Sequence, residues 1–152
     1  TSGATETAST SYTPGSGISE ASHILYVQES DGTNWSSSGS RTIVIDTTAP
    51  TLAITMTNYE IKTNDPQPTI WFDFSEAPSL FAIDDISVQN GSRNTFTKVN
   101  ETRYSVKFTY TCGASYPTNV VTVGQAWNDA AGNAPANNST SPNYAIDAVC
   151  PE

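Results

Sequence analysis

Positive charge is scarce in this sequence. Lys and Arg number 6 against 15 Asp and Glu, a formal charge of −9 over 152 residues. A surface of that sign repels phosphate backbones and anionic lipid heads, which excludes nucleic acid as a partner. Long apolar runs are also missing. No stretch reaches the roughly 18 apolar residues of a membrane helix, so membrane insertion is not expected. No basic-then-apolar signal segment is visible. Charged residues of all kinds make up only 14%. In their place stand Thr, Ser and Asn, whose short polar side chains compete for the backbone and disfavour helices, while Thr favours strands. No convincing amphipathic helix is found, although residues 76–84 have room for one helical turn.

Catalytic chemistry is poorly supplied. The one histidine, His23, lies on a strand-like run with no nucleophile suggested beside it. Glycoside hydrolysis needs two carboxylates across a sugar-sized cleft, one of them in an apolar pocket, and nothing indicates such a cleft. Trp35, Trp71, Trp127 and Tyr116 are the raw material of a sugar-binding platform. Trp71 and Trp127, however, fall on strands and read better as core or its cover. The two cysteines, Cys112 and Cys150, form no C-x-x-C. In so Cys-poor and Lys-poor a chain they read as one disulfide in an oxidising compartment; the alternative is two unrelated thiols.

What is present is a repeat. Ile-Asp-Thr-Thr-Ala-Pro at 45–50 returns as Ile-Asp-Ala-Val-Cys-Pro at 146–151, 101 positions later. Each copy follows a strand-like run, an Asp/Asn/Gly loop and a second strand-like run. The first set is His23–Glu29, the loop around Asp31–Asn34, and Thr42–Ile45. The second is Val120–Trp127, the loop Asn128–Asn133, and Tyr144–Ile146. A period near 100 is too long for a solenoid and suits a β-sandwich module. Residues 1–48 then read as the C-terminal half of one module, with strands near Ser9–Tyr12, Ile24–Glu29 and Thr42–Ile45. Residues 49–152 read as a complete module.

Seven strands, lettered A to G in chain order, are expected in the complete module: Leu52–Thr57, Thr69–Phe74, Ile86–Gln89, Thr95–Val99, Tyr104–Tyr110, Asn119–Trp127 and Asn143–Ile146. Ile70, Phe72 and Phe74 alternate with Trp71 and Asp73. Tyr104, Val106, Phe108 and Tyr110 alternate with Ser105, Lys107 and Thr109. Each pattern is that of a sheet with one buried face. Asn64-Asp65-Pro66, Ala77-Pro78, Asn90-Gly91 and Tyr116-Pro117-Thr118 are the expected turns.

"FDFSEAPSLFAIDDISVQNG" at 72–91, "NDAAGN" at 128–133 and "YAID" at 144–147 together resemble the bacterial immunoglobulin-like repeats of large surface adhesins and biofilm proteins. "SYTPGSGISEASHILYVQESDGTNWSSSGSRTIVIDTTAP" at 11–50 resembles the C-terminal half of another such module. Asp31-Gly32-Thr33-Asn34 departs from the family loop by lacking its Ala-Gly, and "IDAVCP" replaces the usual threonines. The resemblance implies an all-β, immunoglobulin-like Greek-key sandwich, one complete module preceded by half of another. It also implies an extracellular or cell-surface location.

In that topology the B–C loop, the F–G loop and the lead-in to strand A share one end. These carry Glu76, Asp84 and Asp85; Asn128, Asp129 and Asn133; and Asp46. Ca²⁺ takes about six to eight hard oxygen ligands, and clustered carboxylates repel one another without a cation. The expected metal ligands are therefore Asp46, Glu76, Asp84, Asp85, Asp129 and Asn133, with Ca²⁺ as the ion. Glu76, Asp129 and Asp46 are the best placed. The competing reading is of ordinary loop Asp and Asn residues chosen for their turns. The resemblance points the same way as calcium, since many such repeats are calcium-rigidified. Cys112, after strand E, and Cys150, after strand G, fall at the other end, where topology permits a bond. N-x-S/T occurs at Asn34, Asn90, Asn100, Asn137 and Asn138, which matters only in a source that glycosylates such sites.

The expected function is thus non-enzymatic: a calcium-stiffened stalk repeat of an adhesin or fibre. Neighbouring modules of the same or identical chains would be its partners, with a surface glycan or protein as a further ligand. One alternative is a filament subunit joined by strand complementation. Another is an accessory carbohydrate-binding module of a secreted enzyme.

Overall fold

A computed structural model of the chain describes residues 5–9, 11, 13 and 17–150. It divides into two compact units, Thr1–Thr47 and Thr48–Glu152.

The first unit is built on one antiparallel hairpin. β1 (Ala21–Val27) pairs with β2 (Gly39–Ile45) from Ala21↔Ile45 to Val27↔Gly39. The connection is pinned by an isolated Ser30↔Trp35 bridge and by Asp31, whose carboxylate accepts the Thr33 and Asn34 N–H groups at 2.8 and 2.7 Å. Gly32 within this turn has φ 93°, a left-handed geometry that glycine adopts at no steric cost. Ile24, Tyr26 and Val44 remain 57, 64 and 71% exposed, so this sheet has an apolar face that its own unit does not cover. The strand expected at Ser9–Tyr12 lies partly outside the described residues, and Ser9 and Ser11 are not in a strand.

The second unit is a two-layer sandwich. One layer joins β3 (Leu52–Met56), β5 (Thr69–Phe74), β8 (Arg103–Tyr110) and β7 (Gly91–Lys98) in that order, all antiparallel. The other contains β4 (Glu60–Lys62), β12 (Tyr144–Ala148) and β9 (Ala114–Asn119), with β12 parallel to β4 and antiparallel to β9. It continues through β10 (Thr122–Val123), which pairs with β6 (Ile86–Ser87) and β11 (Ser139–Thr140). These are the A-B-E-D and C-F-G layers of an immunoglobulin-like fold. The alternation read from the sequence closes the core. Ile70, Phe72, Val106 and Phe108 from the first layer meet Ile61, Val121, Val123, Tyr144 and Ile146 from the second, and all are fully buried.

Four expectations need correction. Of the single strand expected at Asn119–Trp127, only Asn119, the last residue of β9, and Thr122–Val123, which form β10, are strand. Asn119 is buried, and its amide donates to the carbonyls of Tyr116 and Tyr144 at 2.8 and 3.0 Å, where the β9–β12 register also shifts. Tyr116-Pro117-Thr118 is not a turn but part of β9. That strand is the sheet's edge, where proline's missing N–H is tolerated. The strand expected at Thr95 already begins at Gly91 and carries a bulge between Asn94 and Thr97. Finally, β4 and β11 were not anticipated, because two or three residues are too few to show a period. The single turn allowed for in 76–84 is a 3₁₀ turn at Ile83–Asp85.

Candidate functional site

The site grows from two aromatic residues. Phe74 ends β5 and Trp127 ends the run after β10; their rings meet edge to face with centroids 4.8 Å apart. Phe81 packs on Phe74 at 4.8 Å and on Tyr104 at 5.3 Å, extending the cluster under the loops. Two residues beyond Phe74 stands Glu76, and two beyond Trp127 stands Asp129. Packing the rings therefore brings the stems of the two acidic loops together.

Backbone bonds fix the loops further. Ser79 and Asn128 exchange N–H···O bonds of 2.6 and 3.2 Å, joining the B–C loop to the F–G loop. Ser75 donates its N–H to the Thr51 carbonyl at 3.0 Å, and its hydroxyl accepts the Thr51 N–H at 2.9 Å. The strand-A lead-in, the B–C loop and the F–G loop thus share one end of this unit.

Asp129 is the centre of its loop. Only 2% exposed, it accepts the Gly132 and Asn133 N–H groups on Oδ1 at 2.7 and 2.8 Å and the Asn133 side-chain amide on Oδ2 at 2.8 Å. Gly132 has φ 98°, which lets the chain fold back over the carboxylate. Burial acts to raise the pKa of Asp129. The bonds from the Asn133 side chain and from the Asn133 and Gly132 N–H groups outweigh it and hold the carboxyl below its ordinary 3.8. Asp129 therefore carries its charge at neutral pH.

The carboxylate oxygens of half-buried Glu76 and Asp129 lie within 4.8 Å of one another. Asp84 and Asp85 do not join them. Asp84 faces Arg93 at 3.4 Å with its side chain 93% exposed, and Asp85 accepts the Ala82 N–H at 2.8 Å to cap the 3₁₀ turn. Asn133 is held against Asp129. Asp46 directly follows β2, five residues ahead of Thr51. The Ser79–Asn128 bridge escaped sequence reasoning, although the parallel spacing Phe-Ser-Glu and Trp-Asn-Asp was a usable signal for the pair it joins.

At the far end Cys112 and Cys150 form a disulfide, with Cα atoms 4.9 Å apart. Of the tryptophans, Trp127 is 1% exposed. Trp71 lies under the Arg103 guanidinium at 4.9 Å, and Trp35 is 56% exposed in the first unit.

A family model described as a bacterial Ig-like domain matches residues 46–146. The chain belongs to the bacterial Ig-like domain family. No significant match to it was found among curated proteins or solved structures. Domains of this family are typically non-catalytic and commonly occur in extracellular or surface proteins, in structural or adhesive roles. The matched segment opens on Asp46 and spans the second unit's sandwich nearly to the end of β12.

Proposed function

We propose that this Ig-like chain is a non-enzymatic repeat of an extracellular adhesin or fibre, stiffened by Ca²⁺ and acting by reach and tensile strength. The observation that carries the metal is the Glu76–Asp129 approach, two hard carboxylates held within 4.8 Å by packed stems. Asp46, on the segment that leads into Thr51, is the proposed third carboxylate, and Asn133 a candidate amide ligand. Oxygen donors of this type suit Ca²⁺, which completes its shell from backbone carbonyls and water. A cation there offsets the repulsion between the acids and ties the B–C and F–G loops together.

Thermal melting of the whole chain with Ca²⁺ and with chelator tests this. Binding to the folded state alone stabilises by about 2.7 kcal/mol at a ligand concentration of 100 Kd. An unchanged Tm across a millimolar titration removes calcium from the account.

The exposed Ile24, Tyr26 and Val44 favour a second reading. The β1–β2 hairpin would be the F–G hairpin of a module whose other strands come from a neighbouring Ig-like segment, in the same or an identical chain. Its Asp31 turn supports this, since Asp31 and Asp129 use their carboxylates on loop N–H groups in the same way. Size-exclusion chromatography decides whether identical chains associate: a monomer at all concentrations sinks the filament form.

A further inference from the structure

The disulfide occupies a particular place in the mechanics of the sandwich. Cys112 lies two residues beyond the end of β8, and Cys150 two beyond the end of β12. Tension reaching Cys150 from the C-terminal side has two routes. Along the chain it would enter β12, whose neighbours are β4 and β9. Across the sulfurs it enters Cys112 and so β8, a central strand flanked by β5 and β7. The covalent route is far stiffer than hydrogen-bonded pairing.

We infer, resting on the tension-bearing reading above, that the Cys112–Cys150 bond diverts tension from β12 to β8. It thereby locks residues 113–149 out of the extensible chain. Tension from the N-terminal side arrives at β3. β3 and β8 are each antiparallel to β5, so they run in the same direction. Pulling the start of β3 against the end of β8 shears the β3–β5–β8 pairing along the strands. Rungs perpendicular to the pull are then loaded together instead of being peeled singly. The locked loop contains β9, β10, β11 and β12, the F and G strands and their connection. The acidic F–G loop is held inside it, so the loop carrying Asp129 stays closed on itself even after the other sheet has opened.

The test is single-molecule pulling of the whole chain between handles at its two ends, before and after reduction of the folded protein. Thiol titration verifies the redox state. The bridge spans a sequence separation of 38. Each residue released adds about 0.36 nm, so reduction lengthens the module's unfolding step by about 14 nm. The Cys112→Ser/Cys150→Ser double variant gives the long step without reductant. Should that variant fail to fold, wild type reduced in place supplies the same comparison. Equal steps in oxidised and reduced protein overturn the inference. Repeating the series with Ca²⁺ and with chelator separates the two ideas. A longer step on reduction with no calcium effect on unfolding force leaves the locked loop standing and removes the metal. A calcium effect with equal steps does the reverse.

Discussion

The hydroxyl of Tyr144 holds both backbone groups of Gln89, donating to its carbonyl at 2.7 Å and accepting its N–H at 3.2 Å. Tyr144 lies on β12, its ring wholly buried against Phe108 at 5.4 Å. Gln89 lies between β6 and β7, where the chain crosses from one layer to the other. One side chain therefore ties the crossover to the opposite strand. Tyr144→Phe keeps the ring but strips Gln89 of both partners. The expected loss is about 1–2 kcal/mol, read as a lower urea midpoint at unchanged m-value.

Asn119 makes a larger demand. Its amide nitrogen serves the Tyr116 and Tyr144 carbonyls, and its oxygen accepts from Asn90 at 2.6 Å; the bond to Tyr144 is buried and the other two are half-buried. Asn119→Ala leaves those groups without partners, the Tyr144 carbonyl in a buried position. A cost of about 2–4 kcal/mol is expected in chemical denaturation, more than a single neutral hydrogen bond would explain. A loss below about 1 kcal/mol would mean that β9 rearranges to satisfy them.

Sequence periodicity reached some of these features and not others. The alternation of Ile70, Phe72 and Phe74 and of Tyr104, Val106 and Phe108 was legible because each strand has one buried face. Asn119 was read as the start of an unbroken strand, since a polar residue beside Val120 and Val121 gives no hint that its amide will interrupt the ladder. Asp84 and Asp85 offer the same carboxylate chemistry as Glu76 and rank below it only by their place in the loop. What separates them is the 3₁₀ turn and Arg93, a partner nine positions away that no local pattern announces. The disulfide was legible from two cysteines placed after strand ends.

Gly91 is needed for space. A Cβ there would sit 2.5 Å from Phe108 Cε2 and 2.5 Å from the Thr109 carbonyl oxygen. Backbone cannot yield easily, and Phe108 is fully buried. Gly91→Ala should destabilise by about 1–3 kcal/mol, the range for overpacking a core. Thermal unfolding monitored by near-UV circular dichroism is the check. An unchanged Tm would show that β7 can move off β8.

Asp129 sets a pH dependence. Its carboxyl sits below 3.8 in the folded chain, so the unfolded state binds the proton more readily. The stability it contributes is present above the ordinary aspartate pKa and drains away as pH falls through the folded value. The acid limb of a stability–pH curve, taken in chelator, should flatten below about pH 4 in Asp129→Asn. A limb that keeps its full slope would assign it to other carboxylates.

Glu76→Gln should reverse sign with calcium. In chelator, Glu76 and Asp129 are like charges within 4.8 Å, and removing one relieves their repulsion. Glutamine keeps the shape and the acceptor oxygen, so the chelated variant should melt higher than wild type, by on the order of 3 °C. With saturating Ca²⁺ the order should invert, because the variant has lost a charged ligand that wild type uses. A pair chosen only for its turns predicts no inversion, since Ca²⁺ would leave both melting temperatures in place. Two melting curves for each protein thus separate a metal site from an acidic coincidence. They do so without depending on the absolute stability of either chain.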